Sequence, residues 1–311
     1  MLDRVATATQ TSAILANLLA AESAQTAAGD KVSSGKNGSD LKDFATQAET
    51  LTAIKSLDSR ITNYQAQNSQ IAAKLTAQDE GLTAVSGAAA GVNQAIQNAL
   101  ASGDASSLIQ EIQSQFSTAL SGLNTQFDGK YVFAGGQVNT APVSATQLSD
   151  LTSGPPISSF FKNDSLQVQA KLDDNTTVTT GQLASNLATP LLNAFQAIEA
   201  FNQGPNGPLS GPLTAAQTTF LTNQIQTWTT VATNLTTQTA QNGLVQTQVS
   251  DVAANLVTQQ NTLTSVIGNI TDADIAKAAT DLSNAQLSVQ ASAKVLQALQ
   301  GDSLISLLPV A

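Results

Sequence analysis

Two long stretches of the chain carry apolar or small residues at alternating spacings of three and four. The first follows residues 54–96 and the second follows residues 221–266, and most of their members are Leu, Ile, Val or Ala. A period of 3.5 residues sustained over so many turns is typical of helices that supercoil around a partner helix. At about 1.5 Å per residue, each stretch would be on the order of 70–80 Å long. The sequence therefore predicts long helical rods.

Amides occupy several positions of these two seams, at Asn68, Gln78, Gln238 and Asn242. A buried amide at a seam position can fix the register of two helices at some cost in stability. The alternative is that these positions are partly wet. Trp228, at another seam position, is predicted to be a packing anchor and not a ligand platform.

The rods carry unusually little charge. Only 11% of the residues are charged, while the formal net charge is −10 and the pI is near 4.2. A surface of Ala, Thr, Ser, Gln and Asn repels copies of itself weakly, which favours side-by-side packing. The acidic balance argues against a nucleic-acid partner, since phosphate binding needs clustered Lys and Arg. No apolar run approaches the ~20 residues of a membrane span, and residues 1–4 lack the start of a conventional signal peptide.

Residues that commonly carry catalysis are missing from the sequence. The chain contains no His and no Cys, which removes the commonest general base and the thiolate metal ligands. Ser39 and Lys42 match a Ser-x-x-Lys nucleophile pattern, but its companion motifs are missing, and a helix cap at Ser39 or Asp40 is the better explanation. The sequence predicts no catalytic, cofactor-binding or metal-binding residues, so we expect no enzyme.

Turn and strand signals divide the chain into five predicted segments. The β-rich part begins after Asp128-Gly129, with a strand at 130–134 and a hairpin whose strands are 166–172 and 176–180. The predicted class is mainly α, with long antiparallel helical rods in a coiled-coil bundle and a small β-rich insertion. The segments are a terminal helix and turn (1–40), the N-terminal rod helices (41–128), the insertion (129–182), the C-terminal rod helices (183–270) and a second terminal helix (271–311).

The helices at the two ends are predicted to be the assembling parts. The first covers residues 1–29; the last starts near Thr271, with Asp274 three residues on, and extends to about residue 300. Neither has much to bury against by itself, which favours polymerisation over an isolated antiparallel bundle. The candidate subunit-interface residues are Leu2, Val5, Ile14, Leu15, Leu18, Leu19, Ile275, Leu282, Val289, Leu296, Leu304, Leu307 and Leu308.

Short motifs in three places resemble the bacterial flagellin superfamily. Residues 31–36 read Lys-Val-Ser-Ser-Gly-Lys, and residues 272–276 read Asp-Ala-Asp-Ile-Ala ahead of Leu-Ser-Asn-Ala-Gln at 282–286. Residues 124–135 contain an Asn, a short gap and then Gly-Lys-Tyr-Val-Phe-Ala-Gly, which is similar to the hook-associated protein 3 branch, the hook–filament junction proteins. The segment after the first motif departs from filament flagellins, and residues 85–100 contain no Arg. Both departures favour the junction branch.

The resemblance implies a structural, self-assembling protein on the outside of the cell, in the bacterial flagellum. Export through the flagellar type III channel, an export chaperone on the C-terminal helix, and assembly with itself and with other flagellar axial proteins are implied with it. A filament flagellin is the alternative. A surface adhesin that uses the insertion, which contains Tyr131, Phe160 and Phe161, is the distant one.

A limited protease digest tests the expectation that the terminal helices are frayed in the monomer. Cleavage is expected below about residue 30 and above about residue 275, because short amphipathic helices without a partner open readily. Mass spectrometry of the fragments locates the cuts. Complete protection of both ends in the monomer would contradict the prediction.

Overall fold

The computed structural model describes residues 2–305, with the side chains of residues 9–299. This part is mainly helical with small two-stranded sheets, so the predicted fold class is confirmed. No described helix is long and apolar enough to span a bilayer. The helices are α1 (Leu2–Ser34), α2 (Ala48–Ser102), α3 (Leu108–Leu123), α4 (Ala184–Gln203), α5 (Ala215–Thr271) and α6 (Ile275–Ile305), and the strands are β1 (Gln126–Phe127), β2 (Lys130–Tyr131), β3 (Gln169–Lys171) and β4 (Thr177–Thr179).

The chain forms two compact units. One consists of its two ends, up to Arg60 and from Gln259, and the other of Ile61–Thr258. The division into five segments stays a prediction, because the two units group parts of the chain that pack together, whereas the five segments follow the order of the sequence. Each unit has its own packing and is described separately.

Within the Ile61–Thr258 unit, α2 and α5 run antiparallel. The Asn93 side-chain amide donates a hydrogen bond to the Ile225 carbonyl at 3.2 Å, and that of Asn242 donates to the Leu75 carbonyl at 3.0 Å. Residue numbers therefore rise along one helix as they fall along the other. The two predicted rods pair with each other inside this unit.

Three aromatic rings from three helices form the centre of this unit's core. Phe195 of α4 lies between Phe116 of α3 and Trp228 of α5, with ring centroids 5.0 and 4.8 Å away and interplanar angles of 76° in both pairs. All three rings are buried, and such edge-to-face contacts are a favoured geometry of aromatic pairs. The prediction of Trp228 as a packing anchor is confirmed.

Helices α2 and α3 approach each other closely where each has a glycine. A Cβ added at Gly122 would lie 2.7 Å from the Gly81 carbonyl oxygen, and one added at Gly81 would lie 2.7 Å from the Gly122 oxygen. Real Cβ atoms do not come so near backbone oxygens, so the two glycines set the distance between the helices.

The insertion begins with a two-residue hairpin that the sequence pattern does not predict. Asp128 and Gly129, with φ of 50° and 70°, form the turn between β1 and β2, and Phe127 pairs with Lys130. Positive φ at both central residues is typical of the turn that matches strand twist, and Asp-Gly is a preferred sequence for it. The predicted strand at 130–134 is therefore shorter: β2 ends at Tyr131, although the Val132 N–H still donates to the Thr125 carbonyl at 3.1 Å.

The second predicted hairpin is confirmed, in shorter form. Strands β3 and β4 pair antiparallel with Ala170 opposite Val178, and both residues are buried. The turn between them is closed by the Asp173 carboxylate, which accepts backbone hydrogen bonds from Asn175 at 2.8 Å and Thr176 at 2.6 Å. Desolvation acts to raise the pKa of Asp173, but the hydrogen bonds together outweigh it, and the pKa is lowered.

Three of the four seam amides are buried, and two of these hold the insertion instead of a partner helix. Asn68 donates to the Leu172 carbonyl at 3.0 Å, and Gln78 donates to the carbonyls of Val132 at 3.2 Å and Thr180 at 3.0 Å. Asn242 ties one rod to the other, and Gln238 is half-buried. The expectation of helix–helix register at Asn68 and Gln78 is therefore wrong in its choice of partner.

Substitution of Gly122 by Ala tests the close approach of α2 and α3. The new methyl group would clash with backbone and with Val85, so Gly122→Ala is expected to lower the free energy of unfolding by about 1–3 kcal/mol. The measurement is chemical denaturation followed by circular dichroism.

Gly87→Ala is the matched control. Gly87 is exposed within α2, and an added Cβ meets nothing within 4 Å. Gly87→Ala should raise the free energy of unfolding by about 0.5–1 kcal/mol, because Ala has the higher helix propensity. Equal effects of the two substitutions would show that the approach at Gly122 carries no constraint.

Candidate assembly surface

A glycine ends α1 and turns the chain toward the start of α6. Gly35 has φ of 69°, in the left-handed region, and its N–H donates to the Lys31 carbonyl at 2.9 Å. This is the geometry of a helix C-cap for which glycine is the preferred residue. The Ser-Ser-Gly motif found in the sequence therefore has a structural role.

The chain after this cap pairs with the connection between α5 and α6. The Asn37 N–H donates to the Thr271 carbonyl at 2.7 Å, and the Ala273 N–H donates to the Gly35 carbonyl at 2.9 Å. Between these two bonds, the Lys36 ammonium contacts the Asp272 carboxylate at 2.5 Å. The hydrogen bonds from Lys36 and from Thr271 lower the pKa of Asp272. We call residues 35–37 and 271–273 the terminal clamp.

Helix α6 begins after Asp274 and not near Thr271. The Asp274 carboxylate accepts a hydrogen bond from the Lys277 N–H at 3.0 Å, which is the bond of an N-cap residue. Thr271 is instead the last residue of α5. The predicted helix start is therefore wrong, because the second residue of the predicted pair is the one that caps the helix.

Helices α1 and α6 pack against each other, so each has a partner inside the chain, and the expectation that neither has much to bury against is wrong. The residues between them repeat at spacings of three and four, as in a coiled coil. Of the described side chains on these helices, only those of Ala28, Ala278 and Ala285 are buried. The half-buried residues at the same spacing include Thr11, Ile14, Leu18, Ala21, Gln25 and Val32 on α1 and Leu282, Val289, Ser292, Leu296 and Leu299 on α6.

Large apolar side chains remain exposed on this helix pair. Leu15 is 47% exposed and Leu19 is 58% exposed on α1, while Leu287 is 61% and Val295 is 49% exposed on α6. Each helix of a pair covers only one side of its partner, so these side chains on the other sides are left in contact with solvent. We call these four residues the outer apolar residues.

The structure separates the predicted interface residues into groups. Ile14, Leu18, Leu282, Val289 and Leu296 face the partner helix within the chain, whereas Leu15, Leu19 and Ile275 are exposed. The backbones of Leu2, Val5 and Leu304 are helical, but their side chains lie outside the described residues, as do Leu307 and Leu308 entirely. That any of them forms an interface stays a prediction.

Leu287 and Val295 were missed because they lie off the seam. Leu287 follows Leu282 by five residues, a rotation of about 140° at 3.6 residues per turn. A search for a 3.5-residue repeat selects the side that faces α1 and passes over residues pointing elsewhere. A large apolar residue off the seam of a weakly charged helix is the signal that could have found them.

Ser39 and Lys42 lie in the segment that follows residues 35–37 of the terminal clamp. The Ser39 N–H and the Asp40 N–H donate to the Asp43 carboxylate, and Lys42 pairs with Asp40 at 3.0 Å, so the Ser-x-x-Lys match is a hydrogen-bonded surface turn. Among the described residues, no group of three or more acidic side chains is arranged to hold a metal ion.

Comparison with known proteins gives the class of this fold. Residues 217–308 match the family model described as the bacterial flagellin C-terminal helical region. The sequence matches none of the curated proteins compared with it. The resemblance to the flagellin superfamily that the short motifs indicate is confirmed.

Two solved structures resemble the fold more fully. A protein of Vibrio parahaemolyticus, described as a flagellar hook-associated protein, is 16% identical with a TM-score of 0.61, over 74% of this chain and 100% of that one. Bacillus cereus FlgL is 15% identical with a TM-score of 0.53, over 70% of this chain and 99% of that one. The chain therefore has the fold of these flagellar proteins.

The terminal clamp predicts a dependence of stability on acid. Because the pKa of Asp272 is lowered on folding, its stabilising effect is present above the ordinary value of about 4 and is lost as the pH falls through the folded value. The thermal midpoint of Asp272→Asn should lie below that of the parent chain at neutral pH, and the difference should vanish in acid. Circular dichroism melts from pH 2 to pH 8 measure it.

Asp251→Asn is the control, because Asp251 is an exposed carboxylate of α5 that has no hydrogen bond or ion pair among the described residues. It should melt with the parent chain across the range. A difference for Asp272→Asn that persists unchanged in acid would contradict the role of the charge.

Proposed function

We propose that the chain is a structural, self-assembling subunit of the bacterial flagellum, at the junction of hook and filament. The observation that carries this proposal is the exposure of the outer apolar residues on the α1–α6 pair. Their burial against further helices would stabilise an assembly by roughly 25 cal/mol for each Å² of apolar surface removed from water. The work of such a protein is done by geometry and not by a reacting group, so we expect no enzymatic activity.

Weak charge on the helix pair supports close packing between copies. The described part of α1 carries Glu22, Asp30 and Lys31, and that of α6 carries Lys277, Asp281 and Lys294. The signs balance on each helix to within one charge, and Lys277 is already paired with Asp281 at 2.8 Å. Long-range repulsion between neighbouring pairs is therefore small.

The junction position is favoured by the Vibrio parahaemolyticus structure, which is described as a flagellar hook-associated protein, and by the Asn-containing motif of residues 124–135. Within that motif the Asn124 side chain accepts a hydrogen bond from the Val143 N–H and donates one to the Val143 carbonyl, both at 3.0 Å. A filament flagellin is the second candidate, and the C-terminal family match is consistent with it as well. Under either candidate, the chain is exported by the flagellar type III system, bound by a chaperone on its C-terminal helix, and works outside the cell with other axial proteins.

Immunogold labelling of intact flagella tests the position. A short band of label between hook and filament is expected, together with loss of filament subunits into the medium when the gene is deleted. Label along the whole filament would replace the junction proposal by the flagellin one. Normal filaments after deletion would contradict both.

Leu19→Gln and Leu287→Gln test the outer apolar residues. Both side chains are already exposed in the lone chain, so folding should change by no more than about 0.5 kcal/mol. Assembly should be weakened by about 1–2 kcal/mol for each leucine removed from the interface, which is a roughly tenfold rise in the concentration needed for self-association. Sedimentation velocity of the purified chain measures it.

Leu244→Gln is the matched control, since Leu244 is 71% exposed on α5 in the other unit. It should associate like the parent chain. An equal effect of all three substitutions would show general loss of hydrophobicity, and no effect of any would contradict the proposed surface.

A further inference from the structure

A cavity of about 330 Å³ lies between α2 and the β insertion, within the Ile61–Thr258 unit. This volume is at the small end of the range of ligand sites, which is roughly 300–1,000 Å³. The wall is mainly apolar, and all of the residues that line it belong to this unit. Its lining includes Ile71, Phe127, Val138, Val168, Ala170 and Lys74, with Gln67, Gln70, Tyr131 and Thr180 as neutral polar members.

Lys74 is the polar group that distinguishes this cavity. Its side chain is half-buried, and it forms no ion pair or hydrogen bond with any residue that the structure describes. Lys36, Lys42 and Lys277 by contrast each pair with a carboxylate. Asp128 and Lys130 are the other charged residues at the cavity, and both are exposed in the β1–β2 hairpin.

An ammonium in this position costs free energy until an anion reaches it. Burial lowers the pKa of Lys74, which is the expected response of an amine taken partly out of water without a counter-ion. Apolar lining beside one convergent charged group is the usual composition of a small-molecule site. In a chain with 22 acidic and 12 basic residues, a partly buried amine without a counter-ion stands out.

We propose that this cavity binds a linear monocarboxylic acid, with its carboxylate on Lys74 and its alkyl chain against Ile71, Val168 and Ala170. An acid of about eight to ten carbons fits, at roughly 30 Å³ for each water-sized group. The lining contains one half-buried cation, Lys74, and no Arg. It therefore suits a ligand with a single negative charge better than a phosphate, which is bound best by the two parallel N–H donors of an Arg side chain. This function is independent of flagellar assembly.

Titration of the full chain with octanoate tests the proposal. A dissociation constant on the order of 0.1–1 mM is expected for a ligand of this size. Methyl NMR spectra should show saturable shifts confined to Ile71, Val138 and Val168. Octanol and octylammonium, which lack the anion, should bind at least about tenfold more weakly, a loss of about 1.4 kcal/mol or more.

Lys74→Met is the informative variant, because it keeps nearly the length of the side chain and removes the charge. It should lose at least about tenfold in affinity for octanoate and little for octanol. Lys55→Met, at an exposed position of the same helix, is the control and should bind octanoate like the parent chain. Circular dichroism of both variants verifies folding.

Ala170→Leu is a second variant that needs no change of charge. Its larger side chain should fill the cavity and abolish the shifts at Ile71 and Val168. Binding that survives both Lys74→Met and Ala170→Leu would overturn the proposal. Shifts at Leu15 and Leu287 in place of the cavity would do the same, because they would show detergent-like adsorption to the terminal helices.

Discussion

The edge-to-face contacts of Phe116, Phe195 and Trp228 hold together the largest folded part of the molecule. Each ring comes from a different helix, and all of them are buried. Because α2 presents mostly Ala and Val to the same core, the aromatic rings supply much of its bulk. The β insertion is held against α2 of this unit by hydrogen bonds that the side chains of Asn68 and Gln78 donate to its backbone carbonyls.

The fold class could be predicted because a long 3.5-residue repeat has few other interpretations. The same repeat could not say which partner a seam residue meets. Gln78 fits a helix–helix seam by spacing, yet its amide reaches carbonyls 54 and 102 residues away in the insertion. The Asp128-Gly129 hairpin could not be predicted from a repeat, because its two strands have only two residues each. Strands this short show no alternation of apolar and polar residues.

Only part of the candidate assembly surface could be predicted from the sequence. Residues at the predicted interface were chosen by apolar character, and the structure divides them between the contact of α1 with α6 and the exposed side. Leu287 and Val295 are exposed because α1 covers only one side of α6, and that limit depends on which helices pair, a long-range fact. The local sequence determines where a helix forms. Which of its apolar side chains stay exposed depends on the helix that packs against it.

The terminal clamp joins residues 236 positions apart in the sequence, through backbone bonds and one ion pair. Closing so long a loop is costly in chain entropy, and the cost falls once the intervening residues have folded and drawn the two segments together. We therefore expect the order of folding to be fixed: the unit between the ends forms first and the clamp closes last. The helices of the proposed assembly surface would then be the last part of the chain to fold, and the first to open.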